Sequence, residues 1–410
     1  MSKKMWFLMV VCGFCSMVVY SPESRAANAE TEKLLELLQK KAVISEEEAV
    51  AFRENVEIKP EERQKDHRHS VQSLADRMDY LEKLREQEVS AGIAGMLRFS
   101  GFVEVEMQSE KLREAATGNE TATSDIALAT AQLDVDVEIN PHVLAHMAFL
   151  YEEGSEFTVD EGTISLAGGD RLPLYINAGK MVVPFGRYES HFISDPLTLV
   201  MGETNDAAVI AGFANDMLDV NVGAFRGLVK ETGADDRINS FVASASLTLP
   251  AIVPAAEIET GVSYISNIAT SDSLQSTDGS GVSSETVAEY VEGVSGFVHV
   301  VVKQRFSFDA EYVGAFDHFT PADLDFAGGE ALKPATWNFE AGWRVTEPLE
   351  IAVKYEGSRE FGNVVPEKQY GLALAMEILP QTVLIGEYLA GEFDNGDERD
   401  LFTLQLAVSF

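Results

Sequence analysis

Acidic side chains recur at every second position along several segments of the chain. Glu104 and Glu106 form one such pair, and Asp134, Asp136 and Glu138 form a triplet. Pairs of neighbouring carboxylates commonly perform acid–base catalysis, in which one acts as proton donor and the other as base. Here the spacing repeats on segment after segment, and no pair is set apart from the others. The pattern favours one polar wall over a catalytic dyad, and the sequence does not predict an enzyme.

Three other patterns involve metal-binding or redox-active residue types. Cys12 and Cys15 have the CxxC spacing of a redox pair, but they lie in an apolar N-terminal run without strand–helix context. His67 and His69 fall in a polar stretch, and the acidic segment at 392–400 does not have the spacing of an EF-hand. Walker, GxSxG and HExxH motifs are absent from the sequence. No cofactor and no metal site are therefore expected.

Composition excludes one class of partner. The chain has 67 acidic and 31 basic residues and a net charge of −36. Binding to nucleic acid requires lysine and arginine to neutralise phosphates, so a nucleic-acid partner is not expected.

The N-terminus has the three parts of a secretory signal. Lys3 and Lys4 give a positive start, residues 5–20 are almost entirely apolar, and Ala27-Asn28-Ala29 is a small-x-small cleavage site. Residues 1–29 are predicted to be a signal peptide. Both cysteines would be removed with it, which leaves a mature chain without disulfides or thiol chemistry.

Residues 30–92 have helical periodicity and are predicted to lie in the periplasm. Ser45 with Glu48 forms a capping box, which predicts a helix start at this point. Apolar residues then follow heptad spacing at Val71, Leu74, Met78 and Leu81. This short repeat is compatible with a coiled coil or with one amphipathic helix that lies on the following domain.

From residue 96 the hydrophobic period changes to two and stays there, which predicts strands to the end of the chain. Residues 93–410 are therefore predicted to form one all-β transmembrane barrel of about sixteen antiparallel strands. The predicted strands are 96–109, 124–139, 142–152, 157–167, 172–183, 207–214, 217–227, 238–249, 255–267, 290–302, 304–316, 335–346, 349–359, 369–379, 382–392 and 400–410.

The connections support a barrel over a soluble β-sandwich. They alternate between short turns, such as Asn140-Pro141, and longer polar stretches such as 110–123, 268–289 and 317–334. Outer-membrane barrels have this asymmetry because periplasmic turns are tight and external loops are long. The apolar-alternating end at 400–410 is predicted to pair with the first strand, which closes the sheet. Its terminal Phe410 resembles the signal that the barrel-assembly machinery reads.

In such a barrel the apolar residues face lipid and the polar residues face the lumen. A wall rich in carboxylates favours cations. The alternative is that these groups are solvated and bonded to one another without selecting ions. The lumen candidates are Arg98, Glu104, Glu106, Asp134, Asp136, Glu138, Glu257, Glu259, Asp309, Glu311, Glu340, Arg344, Glu350 and Lys354.

The connection at 184–206 differs from the others in its aromatic and apolar content. Such a segment is expected to fold into the barrel and narrow the pore; packing over the rim or against a neighbouring subunit is the alternative. Its candidate residues are Phe185, Arg187, Tyr188, Glu189, His191 and Asp195. The 268–289 connection is mostly Ser, Gly, Thr and Asp and lacks this signal.

Two blocks resemble known families. LLELLQKKAVISEEEAVAFRE at 34–54 and NAGKMVVPFGRYESHFISDPLT at 177–198 resemble the siderophore porins of the legiobactin-receptor (LbtU) type, and more distantly the phosphate-selective porins. The resemblance implies an outer-membrane barrel with periplasmic N-terminal helices that takes up iron–siderophore complexes. The acidic lumen is unlike a phosphate pore, so the resemblance predicts the fold better than the ligand.

Together these features predict a bacterial outer-membrane channel for a small solute such as a ferric siderophore. Two alternatives stay open: a general cation-preferring diffusion porin, and a structural or adhesive surface barrel without specific transport. Outer-membrane lipid and the barrel-assembly machinery are the expected partners, and the sequence leaves a homotrimer open.

Overall fold

The computed structural model describes residues 96–169, 172–235, 237–249, 256–276 and 280–410. Sixteen strands form one closed antiparallel barrel, and two short strands, β8 and β11, form a separate parallel pair. The strands are β1 (Leu97–Arg113), β2 (Glu120–Asn140), β3 (Val143–Tyr151), β4 (Thr158–Ala167), β5 (Leu174–Val182), β6 (Asn205–Ala214), β7 (Leu218–Phe225), β8 (Lys230–Glu231), β9 (Ser240–Leu249), β10 (Ala256–Ile265), β11 (Thr286–Val287), β12 (Gly293–Val302), β13 (Phe306–Ala315), β14 (Ala335–Thr346), β15 (Leu349–Arg359), β16 (Lys368–Leu379), β17 (Thr382–Glu392) and β18 (Glu398–Ser409).

One α-helix, α1 (Leu197–Gly202), and two 3-10 turns at Ile268–Thr270 and Asp325–Ala327 complete the described elements. Within these residues, no helix is long and apolar enough to cross a bilayer. The predicted signal peptide, the 30–92 segment, His67 and His69 lie outside the described residues, as does the 250–254 turn.

The period-two pattern sorts the side chains onto the two faces of the sheet. On β18, Thr403 and Gln405 are buried inside, whereas Leu406 and Val408 are exposed outside. The same holds across the barrel, where Phe308 and Phe339 are 50% and 49% exposed on the outer face. An outer belt of large apolar side chains is stable only against hydrocarbon, so the barrel is a transmembrane one.

The barrel closes where the chain ends. β18 pairs with β1 from Phe102 opposite Ser409 to Arg113 opposite Glu398. Phe410 and Gly101 then exchange two backbone hydrogen bonds of 3.0 Å each. Closure satisfies every strand edge internally, as lipid requires, and the predicted pairing of the last strand with the first is confirmed.

All sixteen predicted strands coincide with a barrel strand, and the largest difference is at the first hairpin. The 110–123 segment is predicted to be a loop, but β1 continues to Arg113 and β2 starts at Glu120. The loop prediction is wrong because cross-strand pairs such as Glu110 opposite Thr123 are polar and carry no apolar alternation. The backbone ladder needs no such alternation where the hairpin extends beyond the lipid belt.

Two ends of the barrel can be distinguished. The turn end carries the short connections, and both Leu97 and Phe410 lie there. The loop end carries the longer ones, including 266–292 and 316–334. The 268–289 connection is not the solvated loop that its composition indicates, because Ile268, Leu274 and Val282 are fully buried. Four or five well-spaced apolar residues suffice to pack a segment that is otherwise Ser, Gly and Thr.

Candidate functional site

The connection between β5 and β6 enters the barrel and is here called the inner loop (residues 183–204). Its residues bond to side chains on β10, β13, β14, β15 and β17. Together with β12 and β16, these strands form an arc of seven consecutive strands of the sixteen-stranded wall. One short segment reaches inward-pointing side chains on all of them only from within the barrel.

Local sequence explains how the inner loop leaves the wall. Pro184 follows β5 and cannot donate a ladder hydrogen bond. Gly186 has a φ of 87°, and Tyr188 has a φ of 60°, so the chain turns twice through left-handed conformations. Pro196 then precedes the short helix α1. A Cβ at Gly186 would lie 2.3 Å from the Tyr188 ring, so glycine is required here for space as well as for φ.

Apolar packing holds several side chains of the inner loop, near both of its ends. Phe185, Tyr188 and Met201 are at most 2% exposed and belong to one large cluster. The wall side of this cluster consists of inward-pointing apolar residues: Ile210, Phe225, Val242, Ile265 and Val313. Here the inner face is apolar, contrary to the expectation that the inward positions are polar. The apolar residues of the wall pack against the apolar residues of the inner loop that covers them.

The inner-loop backbone from Arg187 to Leu197 is held by carboxylates that accept its hydrogen bonds. Glu311 accepts from the backbone N–H of Arg187 at 2.7 Å and of Tyr188 at 3.0 Å. Irregular backbone buried inside a barrel has no ladder partners, and each buried N–H needs an acceptor. Three more carboxylates do the same work: Glu340 for His191 N, Glu387 for Ile193 N and Ser194 N, and Glu356 for Leu197 N.

A buried lysine compensates this concentration of negative charge. Lys354 Nζ lies 3.4 Å from Glu340 Oε1 and 3.6 Å from Glu356 Oε1, and all three side chains are fully inaccessible. The ammonium also lies 4.7 Å from the centre of the Phe192 ring, in cation–π geometry. Lys354 therefore ties the inner loop and two strands together.

Arg187 and His191 extend the polar contacts across the wall. Arg187 donates to Glu189 and to Glu259, at 2.6 Å each. The His191 ring lies between Glu350 at 2.7 Å and Asp309 at 3.2 Å. The side chains of Arg187 and His191 thus contact β10, β13 and β15, which fixes the position of the inner loop along the barrel axis.

Wall glycines make room for the loop side chains. A Cβ at Gly371 would lie 2.5 Å from the Phe192 ring, and one at Gly342 would lie 2.8 Å from the His191 ring. Both positions point inward from strands β16 and β14. Close approach of a side chain to the sheet is a recognised reason for glycine within a strand.

The opposite side of the wall, formed by β1 to β4 and β18, is polar and partly accessible. Arg98 lies 3.7 Å from Glu138, and the two side chains are 20% and 23% exposed. His146 Nδ1 lies 2.7 Å from Asp136, whose side chain is 24% exposed. Glu104, Glu106 and Asp134 are likewise partly exposed inward residues. Carboxylates on this side meet solvent, whereas those under the inner loop meet protein.

The predicted site residues thus separate into groups. Arg187, Glu189 and His191 meet Glu259, Asp309 and Glu350 in one network, while Glu311, Glu340 and Lys354 are buried beneath the loop. Phe185 and Tyr188 are packed in the apolar cluster and line no space. Asp195, Glu257 and Arg344 are exposed.

Glu387, His299 and His146 are among the site residues that the sequence analysis did not predict. Glu387 is the one acid in an otherwise apolar strand segment, and it accepts three hydrogen bonds from the inner loop. An isolated acid in an apolar strand is a sequence signal by which Glu387 could have been predicted. His299, which bonds to Asp309, and His146 lie among valines and alanines, and a lone histidine in such a strand has no distinguishing pattern.

A pair of acids lies at the loop end, outside the strands. Burial, and after it the negative charge of Asp272, raises the pKa of Glu203 to about 8. Burial also raises the pKa of Asp272 to about 6, against the opposing effect of its hydrogen bond from the Asn205 backbone. Asp272 N donates to the Glu203 carbonyl at 2.7 Å, so the pair joins the end of the inner loop to the 266–292 connection.

Sequence comparison identifies relatives of this chain among curated proteins. No protein-family model matches the chain. The UPF0422 protein lpg2959 of Legionella pneumophila is 29% identical over 330 residues, covering 68% of this chain and 58% of its own length. A UPF0422 protein of Coxiella burnetii is 26% identical over 277 residues, covering 65% and 58%. The chain thus spans 58% of the length of these curated relatives.

Two solved structures are similar over 77% of this chain. They are the outer membrane channel DcaP of Acinetobacter baumannii, with a TM-score of 0.52 and 11% identity over 97% of that chain, and an anion-selective porin from Comamonas acidovorans, with a TM-score of 0.51 and 10% identity over 99% of that chain. Identity this low shows a shared fold alone. The chain has a porin fold and is similar in sequence to UPF0422 proteins.

Proposed function

We propose that this chain is an outer-membrane channel for small solutes, with an acidic lumen that the inner loop narrows. The observation that carries the proposal is the asymmetry of the inner wall. One side is covered by a loop held through carboxylates and packing, and the other keeps partly exposed charged side chains along β1 to β4. A rigid loop beside a charged wall is a suitable selectivity device.

Ferric siderophores are the solute class we propose, and this part rests on sequence resemblance. The 177–198 block, which resembles siderophore porins, contributes the residues that anchor the inner loop. The accessible wall carries more acids than bases, so the proposed channel prefers cations or weakly charged complexes. The proposed location is the bacterial outer membrane with the N-terminal segment in the periplasm.

Ion conductance in planar bilayers tests the channel. The full chain should give discrete current steps, and Arg187→Ala with Glu189→Ala should change their size or selectivity because this pair lies beside the Glu259 wall. The exposed pair Arg359 and Glu360 at the loop end provides a matched double variant, which should leave the current unchanged. Absence of any current would favour the structural or adhesive alternative.

Growth on iron tests the solute. A strain that lacks this protein should grow poorly when a ferric siderophore is the sole iron source, and the intact gene should restore growth. Unimpaired growth together with normal conductance would favour a general diffusion porin.

Assembly provides a separate test of the closing strand. Phe410 exchanges two backbone hydrogen bonds with Gly101, and its side chain is 58% exposed. Deletion of Phe410 should lower the amount of folded barrel in the membrane more than the conductance of each assembled barrel. Cross-linking of the assembled protein would show whether it forms a homotrimer.

A further inference from the structure

A group of metal-binding side chains lies where the inner loop meets the wall of β12 and β13. Glu189, His299 and Asp309 each offer a ligand atom, and these three atoms lie within 4.8 Å of one another. The residues come from the inner loop and from two neighbouring strands. Such convergence needs the loop to be inside the barrel, and the sequence alone predicted no metal site.

Two of these residues, Glu189 and Asp309, line a small cavity of about 10 Å³. Its other lining residues are the polar Arg187, Glu311 and Asn338 and the apolar Phe297, Val298 and Ala310. A cavity of this size holds about one water molecule or one ion. A larger ligand has no room here, so the geometry selects a single small species.

Carboxylates are concentrated around this point. Four carboxylates contact the side chains of Arg187, His191 and His299: Glu189, Glu259, Asp309 and Glu350. The Arg187 guanidinium contacts two of them, Glu189 and Glu259. Partly buried carboxylates need compensation by protons or by a cation. A divalent ion would supply positive charge for this compensation.

Hydrogen bonds orient the histidine and carboxylate side chains around this point. His299 Nδ1 is hydrogen-bonded to Asp309 Oδ1, so the ring is already oriented beside a carboxylate. His191 Nε2 contacts the other Asp309 oxygen at 3.2 Å, and Glu350 holds the far side of that ring at 2.7 Å. Chains of histidine and carboxylate of this kind orient metal ligands and tune their basicity.

We propose that Glu189, His299 and Asp309 bind one divalent first-row transition-metal ion. One imidazole with two carboxylates suits Zn²⁺, Mn²⁺, Fe²⁺ or Co²⁺, whereas Ca²⁺ and Mg²⁺ prefer an all-oxygen set. Metal–ligand bonds of about 2.0–2.2 Å place the ligand atoms of a tetrahedral site about 3.4 Å apart, so atoms that are up to 4.8 Å apart must approach by up to about 1.4 Å. Glu189 supplies this movement, because its side chain is 32% exposed on the loop. The bound ion would join the inner loop to β12 and β13.

Zn²⁺ titration by calorimetry and Co²⁺ visible absorption test this site directly in the full chain purified in detergent without a histidine tag. His67→Asn with His69→Asn forms the background, since these residues could bind metal independently. One saturable site per chain is expected, with a d–d spectrum of mixed nitrogen and oxygen ligation.

His299→Asn and Glu189→Gln should each weaken binding at least tenfold. The matched control is His318→Asn, which alters an exposed histidine beside Asp317 and should leave binding unchanged. Circular dichroism confirms that each variant is folded. Absence of a saturable site, or equal binding by all variants, would overturn the proposal. Because binding is measured without ion current, its failure is distinguishable from failure of the channel.

Discussion

The two sides of the barrel's inner wall use the same residue types in opposite surroundings. Under the inner loop, Glu340, Glu356 and Lys354 have fully inaccessible side chains and make several contacts each. On β1 to β3, Arg98 and Glu138 form a longer and partly exposed contact. The first set is structural, because its carboxylates replace the ladder partners that irregular backbone lacks. The second set faces solvent, where charge acts on mobile ions instead.

Lys354→Met should cause the largest loss of stability, and it lies on the side of the wall that the inner loop covers. It leaves Glu340 and Glu356 buried without their shared cation, and loss of one partner of a buried ion pair costs about 3–5 kcal/mol. The free energy of unfolding, measured in detergent by circular dichroism, should fall by this amount. Arg98→Met is the matched change on the accessible side and should cost about 0–1 kcal/mol. Similar losses for both variants would contradict the division of the wall.

Gly371→Val tests the packing of the same side. The new side chain would displace Phe192, since a Cβ there lies 2.5 Å from its ring. Overpacking of this kind costs about 1–3 kcal/mol, and protease cleavage of the inner loop should accelerate. Gly386→Val is the control, because the nearest atom to a Cβ there is 3.9 Å away. Unchanged cleavage in Gly371→Val would show that the loop is not seated on the wall.

The pH dependence of stability reports on the Glu203 and Asp272 pair. The pKa of Glu203 is raised from 4.5 to about 8, so the folded chain binds a proton that the unfolded chain releases between these values. Stability should therefore be highest near pH 4.5 and decrease as the pH rises to about 8. The acids that face Glu203 are Asp160, Glu161, Asp195 and Asp272.

Glu203→Gln should flatten this decrease, and the remaining slope up to about pH 6 should come from Asp272. Thermal unfolding in detergent between pH 5 and 9 provides the measurement. Glu398→Gln, at an exposed position of the loop end, should keep the slope of the parent chain. A parent chain whose stability is constant or increases over this range would refute the assignment.

Glu104→Gln should have the smallest effect on stability, within about 0.5 kcal/mol, because the residue lies on the accessible side. Its expected effect is functional: the reversal potential in a salt gradient should move towards lower cation preference. Glu311→Gln is the buried counterpart and should lower stability while leaving the reversal potential unchanged. Equal shifts in reversal potential would mean that both sides contact the ion path.

Sequence periodicity predicted the strands well because each strand of a membrane barrel has one face in lipid. The alternation at 335–346 and 349–359 gives the observed bounds of β14 and β15. It failed at 110–123, where the hairpin continues beyond the lipid belt, and it failed to show burial in the 268–289 connection. Both failures occur where lipid no longer requires alternation.

The inner-loop residues were predictable as a group, but their partners were not. Aromatic content at 184–206 indicated an unusual connection, whereas the hydrogen bond from Ile193 N to the Glu387 carboxylate spans 194 positions in the sequence. A carboxylate that bonds to a loop and one that faces water have the same spacing along a strand. Burial by a distant segment distinguishes them.

The sequence by itself determined a closed, outwardly apolar barrel, because the bilayer imposes a period-two pattern that each strand carries locally. Only the tertiary structure decided what each inward carboxylate does. The path of residues 183–204 through the barrel buries Glu311, Glu340 and Glu356, and Glu104 and Asp136 stay accessible. That assignment depends on contacts between segments more than one hundred residues apart, which local pattern does not encode.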